Sequence, residues 1–133
     1  MGNNSNSIVY IEDDLEMINL VKLIVENQGF TITGATSGSE GIELIKTLSP
    51  DIILLDLMMP DVDGYEIYKK LKSDEALKNI PVIIITAKAQ AIDRVLGIHI
   101  AKVDDYISKP FRPHELLSSI KKVIDIKSSY AKS

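Results

Sequence analysis

The sequence predicts an α/β protein in which a five-stranded parallel sheet is covered by helices on both faces. Three observations carry that prediction. Short apolar, β-branched runs alternate with helical stripes along the chain, the pattern of right-handed βαβ units. The strand candidates are continuously apolar, as strands buried on both faces are. A length of 133 residues suits one domain with a real core, and there is no internal repeat and no interdomain linker.

Each element has its own signal. Residues 1–7 are Asn/Ser-rich and read as a flexible lead-in. Ile8-Val9-Tyr10-Ile11 is the first strand. Met17, Leu20, Val21 and Ile24, at i, i+3, i+4 and i+7, mark the first helix, which Gly29 closes. Thr31 to Ala35 is a second, weaker strand. Ser37-Gly38-Ser39-Glu40 matches a capping box, and Ile42, Ile45 and Leu48 give a helical stripe that Pro50 ends. Ile52 to Leu55 is the third strand, Asp61 to Gly64 a turn, and Tyr65 to Lys72 the third helix. Pro81 opens the fourth strand, Val82 to Ile85, which ends at Thr86. Ile92, Val95, Leu96 and His99 outline a fourth helix, and Tyr106-Ile107 is a short fifth strand. Pro113 then starts a fifth helix through Leu116, Leu117, Ile120, Val123 and Ile124. The domain is expected over 8–125, with 126–133 a polar tail that frays.

Composition excludes several classes. Apolar residues make up 45% and charged residues 26%, a globular balance. The formal charge of −4 and a pI near 5.1 argue against a surface that grips nucleic acid. There is no cysteine, hence no disulfide and no thiolate metal site. The lead-in has neither a basic nor an apolar signal region, so a cytoplasmic protein is expected. Met1-Gly2 opens like a myristoylation signal, but Asn6 stands where Ser or Thr is required. No apolar run reaches spanning length, so no membrane partner is expected.

Chemistry belongs at the carboxyl ends of the strands in such a sheet. The first strand ends in Glu12-Asp13-Asp14, the third in Asp56, the fourth in Thr86-Ala87 and the fifth in Ser108-Lys109-Pro110. Glu12, Asp13 and Asp56 should therefore converge. Three carboxylates in one cleft need a cation, and oxygen ligands suit a hard divalent ion, Mg²⁺ above all. Lys109 adds a compact positive charge fit for a phosphoryl oxygen, and Thr86 a hydroxyl. These are the parts needed to transfer a phosphoryl group onto an aspartate nucleophile.

At these residues the chain resembles a two-component response-regulator receiver domain, the CheY-like family, from about Ile8 to Ile124. The motifs are Glu12-Asp13, Asp56, Met59-Pro60-x-x-Asp63-Gly64, Thr86-Ala87, Asp104-Asp105-Tyr106 and Lys109-Pro110-Phe111, all in order. The resemblance implies a flavodoxin-like three-layer α/β/α sandwich with strand order 2-1-3-4-5. It implies that Asp56 is the phosphoacceptor, taking phosphoryl from a phosphohistidine of a sensor histidine kinase or phosphotransfer protein. Glu12, Asp13, Asp56 and the backbone carbonyl of Met58 would hold Mg²⁺, with Mn²⁺ or Ca²⁺ as substitutes. Thr86, Ala87 and Lys109 would bind the phosphoryl group, and Tyr106 would turn inward as Thr86 moves. Lys109-Pro110 is expected as a cis peptide.

Plainer roles suffice elsewhere. Asp14, ahead of a helix, reads as an N-cap, and Asp61 and Asp63 as turn residues. Gly64 meets a backbone requirement. Tyr10, Tyr65 and Tyr68 read as packing residues, and His99 as a core or half-exposed side chain. Lys102-Val103 stands where the family carries a small Gly-Ala, which bears on the output surface of the fourth helix. Arg94, Glu115 and Asp105 match parts of the charged pairs of dimerising receivers, but Ser119 replaces an arginine, so that dimer is not expected. Met58 and Lys88, each two residues past Asp56 and Thr86, flank the path of hydrolytic water and would slow dephosphorylation.

The expected function is thus a phosphorylation switch, not a general enzyme: it catalyses only its own phosphorylation and autodephosphorylation. Two alternatives are weighed. A haloacid dehalogenase-like phosphatase needs a second aspartate where Met58 stands. A phosphorylation-independent pseudo-receiver would have lost an acid, Asp56 or Lys109, and none is lost. Output is expected through a target protein or an output domain outside this chain, with the protein a monomer or a weak phosphorylation-dependent dimer.

Overall fold

Ile52 to Leu55 can be buried completely only if both faces of their strand are covered, and the computed structural model meets that demand with helices on each side. The structure describes residues 6–59, 62–87 and 104–132; side chains at 62, 63 and 126–132 are outside the description. The elements are β1 (Ser7–Ile11), α1 (Leu15–Glu26), β2 (Thr31–Ala35), α2 (Gly38–Leu48), β3 (Ile52–Asp56), β4 (Met58–Met59), β5 (Val62–Asp63), α3 (Gly64–Ser73), β6 (Val82–Thr86), β7 (Asp105–Ser108) and α4 (Pro113–Lys132). The main sheet is parallel in the order β2-β1-β3-β6-β7. Counting its strands alone, this is the order 2-1-3-4-5, with β4 and β5 forming a separate antiparallel pair.

Alternation along the strands splits the core in two. Val9, Ile11, Ile53, Leu55 and Ile84 pack with Ile45 of α2 and Ile67, Tyr68 and Leu71 of α3. Ile8, Tyr10, Ile52, Leu54, Ile83 and Ile85 pack with Ile18, Val21 and Val25 of α1 and Leu116, Ile120 and Val123 of α4. α1 and α4 therefore cover one face, α2 and α3 the other.

The helix ends follow their local chemistry. Asp14 caps α1, its Oδ1 accepting from the N–H groups of Glu16 (2.9 Å) and Met17 (3.4 Å). Gly29 follows α1 with φ at +89°, and the Phe30 N–H returns to the Val25 carbonyl at 3.2 Å. Ser37 caps α2 by accepting from the Glu40 N–H at 3.2 Å, while Glu40 Oε1 accepts from the Thr36 N–H at 3.0 Å. Pro113 is the first residue of α4.

Three boundaries move from their expected places. Ser7 belongs to β1 and not to the lead-in, because its N–H donates to Asp51 Oδ2 at 2.8 Å and its carbonyl accepts from the Asp51 N–H. The segment after Asp56 is a short β-hairpin leading directly into α3, where only a turn was expected. The polar tail is helical, since α4 runs unbroken to Lys132. The expected fourth helix, with Arg94, His99 and Lys102-Val103, lies outside the described residues, as do Pro60, Asp61 and Lys88.

Candidate functional site

At the carboxyl end of the sheet, β1, β3, β6 and β7 deliver polar side chains to one place. Glu12 immediately follows β1, and its N–H donates to the Ala35 carbonyl of β2 at 2.9 Å, which holds its backbone against the sheet. Asp56 is the last residue of β3, paired in register with Ile85 of β6. Both carboxylates are buried, Glu12 at 1% exposure and Asp56 at 3%. Asp13 is exposed. One carboxylate oxygen from each of Glu12, Asp13 and Asp56 lies within 4.8 Å of the other two.

Lys109 answers this charge. Its Nζ donates to Glu12 Oε1 at 2.6 Å and to Asp56 Oδ2 at 3.0 Å, so one ammonium bridges two buried anions. The Lys109 N–H donates to the Thr86 carbonyl at 2.8 Å, which anchors the lysine to the end of β6. The Lys109-Pro110 peptide is cis. The second oxygen of Asp56, Oδ1, accepts from the Met58 N–H at 2.8 Å. Glu12 Oε2 accepts from the Asp14 N–H at 3.2 Å, and Glu12 Oε1 also accepts from the Tyr10 hydroxyl at 2.9 Å.

These contacts set the protonation tendencies. Burial raises the pKa of Glu12, a rise that the hydrogen bond from Lys109 opposes and the Asp56 charge reinforces. For Lys109 burial acts to lower the pKa, but the hydrogen bonds and charges of Glu12 and Asp56 win and raise it. Burial also raises Tyr10, helped by the charge of Glu12, so the phenol stays protonated and remains a donor.

Gly64, the first residue of α3, lies directly against the peptide after Asp56. A β-carbon there would stand 2.5 Å from Leu57 Cα and 2.6 Å from the Asp56 carbonyl oxygen. The expected backbone requirement is thus a close approach of α3 to the loop that carries Asp56. Met58 stands beside this loop with 43% of its surface exposed.

Thr86 ends β6, buried at 1% exposure, and Ala87 follows it at the surface. Tyr106, in β7, is 49% exposed. Beside it, the Ser119 hydroxyl donates to Asp105 Oδ2 at 2.5 Å and Lys122 Nζ pairs with the same oxygen at 3.0 Å. Burial opposes ionisation of Asp105, but these two bonds outweigh it and hold its carboxyl below the ordinary range. Asp105 is therefore satisfied within its own chain by the serine that replaces the expected arginine. An open cavity of about 360 Å³ lies along this face, between β7 and α4, lined by Tyr106, Ser108, Pro110 and Lys122 among others.

The structure thus brings Glu12, Asp13, Asp56, Met58, Thr86 and Lys109 to one edge, with Tyr106 on the adjoining face. Tyr10 packs in the core as expected, and its hydroxyl contact with Glu12 is the part that the sequence reading lacks. Its signal was legible, because strand residues two apart share a face and Tyr10 precedes Glu12 by two.

Comparison with known proteins converges on one family. The model of the response regulator receiver domain matches residues 8–121. The transcriptional regulatory protein CssR of Bacillus subtilis is 38% identical over 122 residues, covering 92% of this chain and 52% of its own length. The DNA-binding dual master transcriptional regulator RpaA of Synechocystis is 37% identical over 117 residues, covering 88% of this chain and 48% of RpaA. The chain spans about half the length of the curated relatives it matches. Among solved structures, a CheY-like response regulator receiver domain protein of Methanospirillum hungatei superposes with a TM-score of 0.84 at 26% identity, over 96% of this chain and 99% of that one. The receiver domain of a signal transduction histidine kinase from Syntrophus aciditrophicus superposes at 0.80 with 29% identity, over 91% of each chain.

Proposed function

Because this chain belongs to the response regulator receiver domain family, we propose that it is the phosphoacceptor of a two-component phosphorelay, with Asp56 as the group that takes the phosphoryl. The observation that carries the reading is the buried Asp56 carboxylate, held from one side by the Met58 N–H and from the other by Lys109, beside two more acids.

In this reading an Asp56 carboxylate oxygen attacks the phosphorus of a phosphohistidine on a sensor kinase or phosphotransfer protein. The new O–P bond forms as the P–N bond breaks, and the electron pair leaves with the imidazole. Lys109 leaves its bridging position to pair with a phosphoryl oxygen, and Thr86 donates its hydroxyl to another. The donor set is hard and oxygen-only, which fits a small divalent cation of the Mg²⁺ kind. Glu12, Asp13 and Asp56, with the Met58 carbonyl, would hold that ion. When bound it would supply charge neutralisation for the incoming phosphoryl oxygens.

The new charge at Asp56 then draws Thr86, and Tyr106, half exposed in β7, turns inward behind it. The readout surface is that of β7 and α4, where a target protein or an output domain would bind. By the positions that such residues hold in the family, Met58 and Lys88, each two residues past Asp56 and Thr86, would tune the lifetime of the aspartyl phosphate. Among the described residues no helix is long and apolar enough to cross a membrane, and we place the switch in the cytoplasm.

The test is incubation with Mg²⁺ and acetyl phosphate, followed by intact-mass measurement. Wild type should gain one phosphoryl group that hydroxylamine removes, and Asp56→Asn should gain none. A labile phosphoryl on the Asp56→Asn protein, or none on wild type, overturns the reading.

A further inference from the structure

Tyr10 is wholly buried in the cluster formed by β1, β3, α1 and α4, among Ile8, Ile52, Leu54 and Ile83. A buried phenol needs a partner for its hydroxyl, and this one has taken a carboxylate of the acidic cluster. The carboxylate oxygen it takes is specific. Glu12 Oε1 accepts from Tyr10 at 2.9 Å and from Lys109 at 2.6 Å, which uses both its lone pairs. Glu12 Oε2 has the Asp14 N–H at 3.2 Å and keeps acceptor capacity.

We propose that Tyr10 is a positioning residue of the acidic site: its hydroxyl fixes Glu12 by Oε1, so that Oε2 is the oxygen presented to a divalent cation. The inference rests on the metal-assisted reading above and goes beyond it. It also explains how Glu12 tolerates the departure of Lys109. Without the phenol, a carboxylate at 1% exposure that loses the Lys109 ammonium would keep, among the described residues, one backbone contact, the Asp14 N–H at 3.2 Å. With the phenol in place it keeps a hydrogen bond, and its orientation does not change when Lys109 turns to the phosphoryl group. Groups behind a metal ligand act in this way by holding it in the geometry the ion requires.

The experiment is calorimetric titration of the whole chain with Mg²⁺, for wild type, Tyr10→Phe, Glu12→Asp and the double variant. Tyr10→Phe should bind the ion about tenfold or more weakly, the size seen when such a supporting hydrogen bond is removed. In the Glu12→Asp background, where the shorter carboxylate no longer meets the phenol, the same substitution should change nothing. A purely structural tyrosine would not produce that dependence. The near-ultraviolet circular dichroism of the tyrosines supplies a second readout: Mg²⁺ should alter it in wild type but not in Glu12→Asp, and this holds even if Tyr10→Phe does not fold.

The outcomes separate the two ideas. Equal Mg²⁺ affinity in wild type and Tyr10→Phe, or an equal loss in the Glu12→Asp background, overturns the role of Tyr10 and leaves the metal reading standing. No Mg²⁺ binding by wild type removes both.

Discussion

Asp56→Asn should stabilise the protein when divalent cations are absent. Two buried carboxylates, Glu12 and Asp56, share the single ammonium of Lys109, with the exposed Asp13 adding more negative charge. At an effective dielectric of 20, losing an ion pair at 3.0 Å costs about 5.5 kcal/mol, whereas relieving a repulsion at 4.8 Å or less returns about 3.5 kcal/mol or more. Relief from Asp13, screened by water, returns a smaller part of the difference. What remains is the desolvation of a carboxylate at 3% exposure, a penalty of several kcal/mol that asparagine does not carry. Lys109 stays paired with Glu12 at 2.6 Å, so no cation is stranded. The net expectation is a gain of about 1–2 kcal/mol, or roughly 4–7 °C in Tm for a chain of this length. Melting followed by circular dichroism in EDTA measures it directly. Saturating Mg²⁺ should then raise wild type more than Asp56→Asn, because the ion binds the native wild-type acids best. A lower Tm for Asp56→Asn than for wild type in EDTA would refute the reasoning, since the Lys109 bridge would then outweigh the burial of both anions.

Other perturbations test neighbouring parts of the argument. Gly64→Ala places a β-carbon against backbone atoms at 2.5 and 2.6 Å, which no side-chain rotation relieves. It should cost about 1–3 kcal/mol by thermal melting and slow phosphorylation, because the peptide after Asp56 must move. Ser119→Ala removes a lowering hydrogen bond from Asp105, so the Asp105 pKa measured by carboxyl NMR should rise toward the ordinary range. Since the folded-state pKa is depressed, the contribution of Asp105 is full above the ordinary carboxylate pKa and fades as pH falls through the folded value. Ser119→Ala should therefore lose about 1 kcal/mol at neutral pH and show a smaller acid-dependent loss than wild type. Replacing Met58 and Lys88 together by alanine should shorten the lifetime of the aspartyl phosphate in a phosphate-release assay; an unchanged lifetime removes their role in hindering water.

Much of this architecture was legible in residue order. Continuous apolar runs announce strands covered on both faces, and the capping signals at Asp14 and Ser37 work as their side chains suggest. The same logic brings the ends of β1, β3 and β7 to one edge, where Glu12, Asp56 and Lys109 meet. The β4–β5 hairpin was hidden because its strands are two residues long, too short for any periodicity to register. The continuation of α4 was hidden because a polar run carries no apolar stripe to mark it.

By itself, the sequence determined which groups stand at the carboxyl edge of the sheet, since a period of two along strands and short loops leave little freedom there. Tertiary structure alone decided which atoms meet. Whether Lys109 reaches one acid or both and that Ser119 satisfies Asp105 depend on separations of 97, 53 and 14 residues closed by packing, and which oxygen of Glu12 the neighbouring Tyr10 phenol takes depends on how that packing turns the two side chains. Periodicity assigns a side chain to a face. It does not assign a partner, because partnership is set within a few tenths of an ångström by how the layers pack.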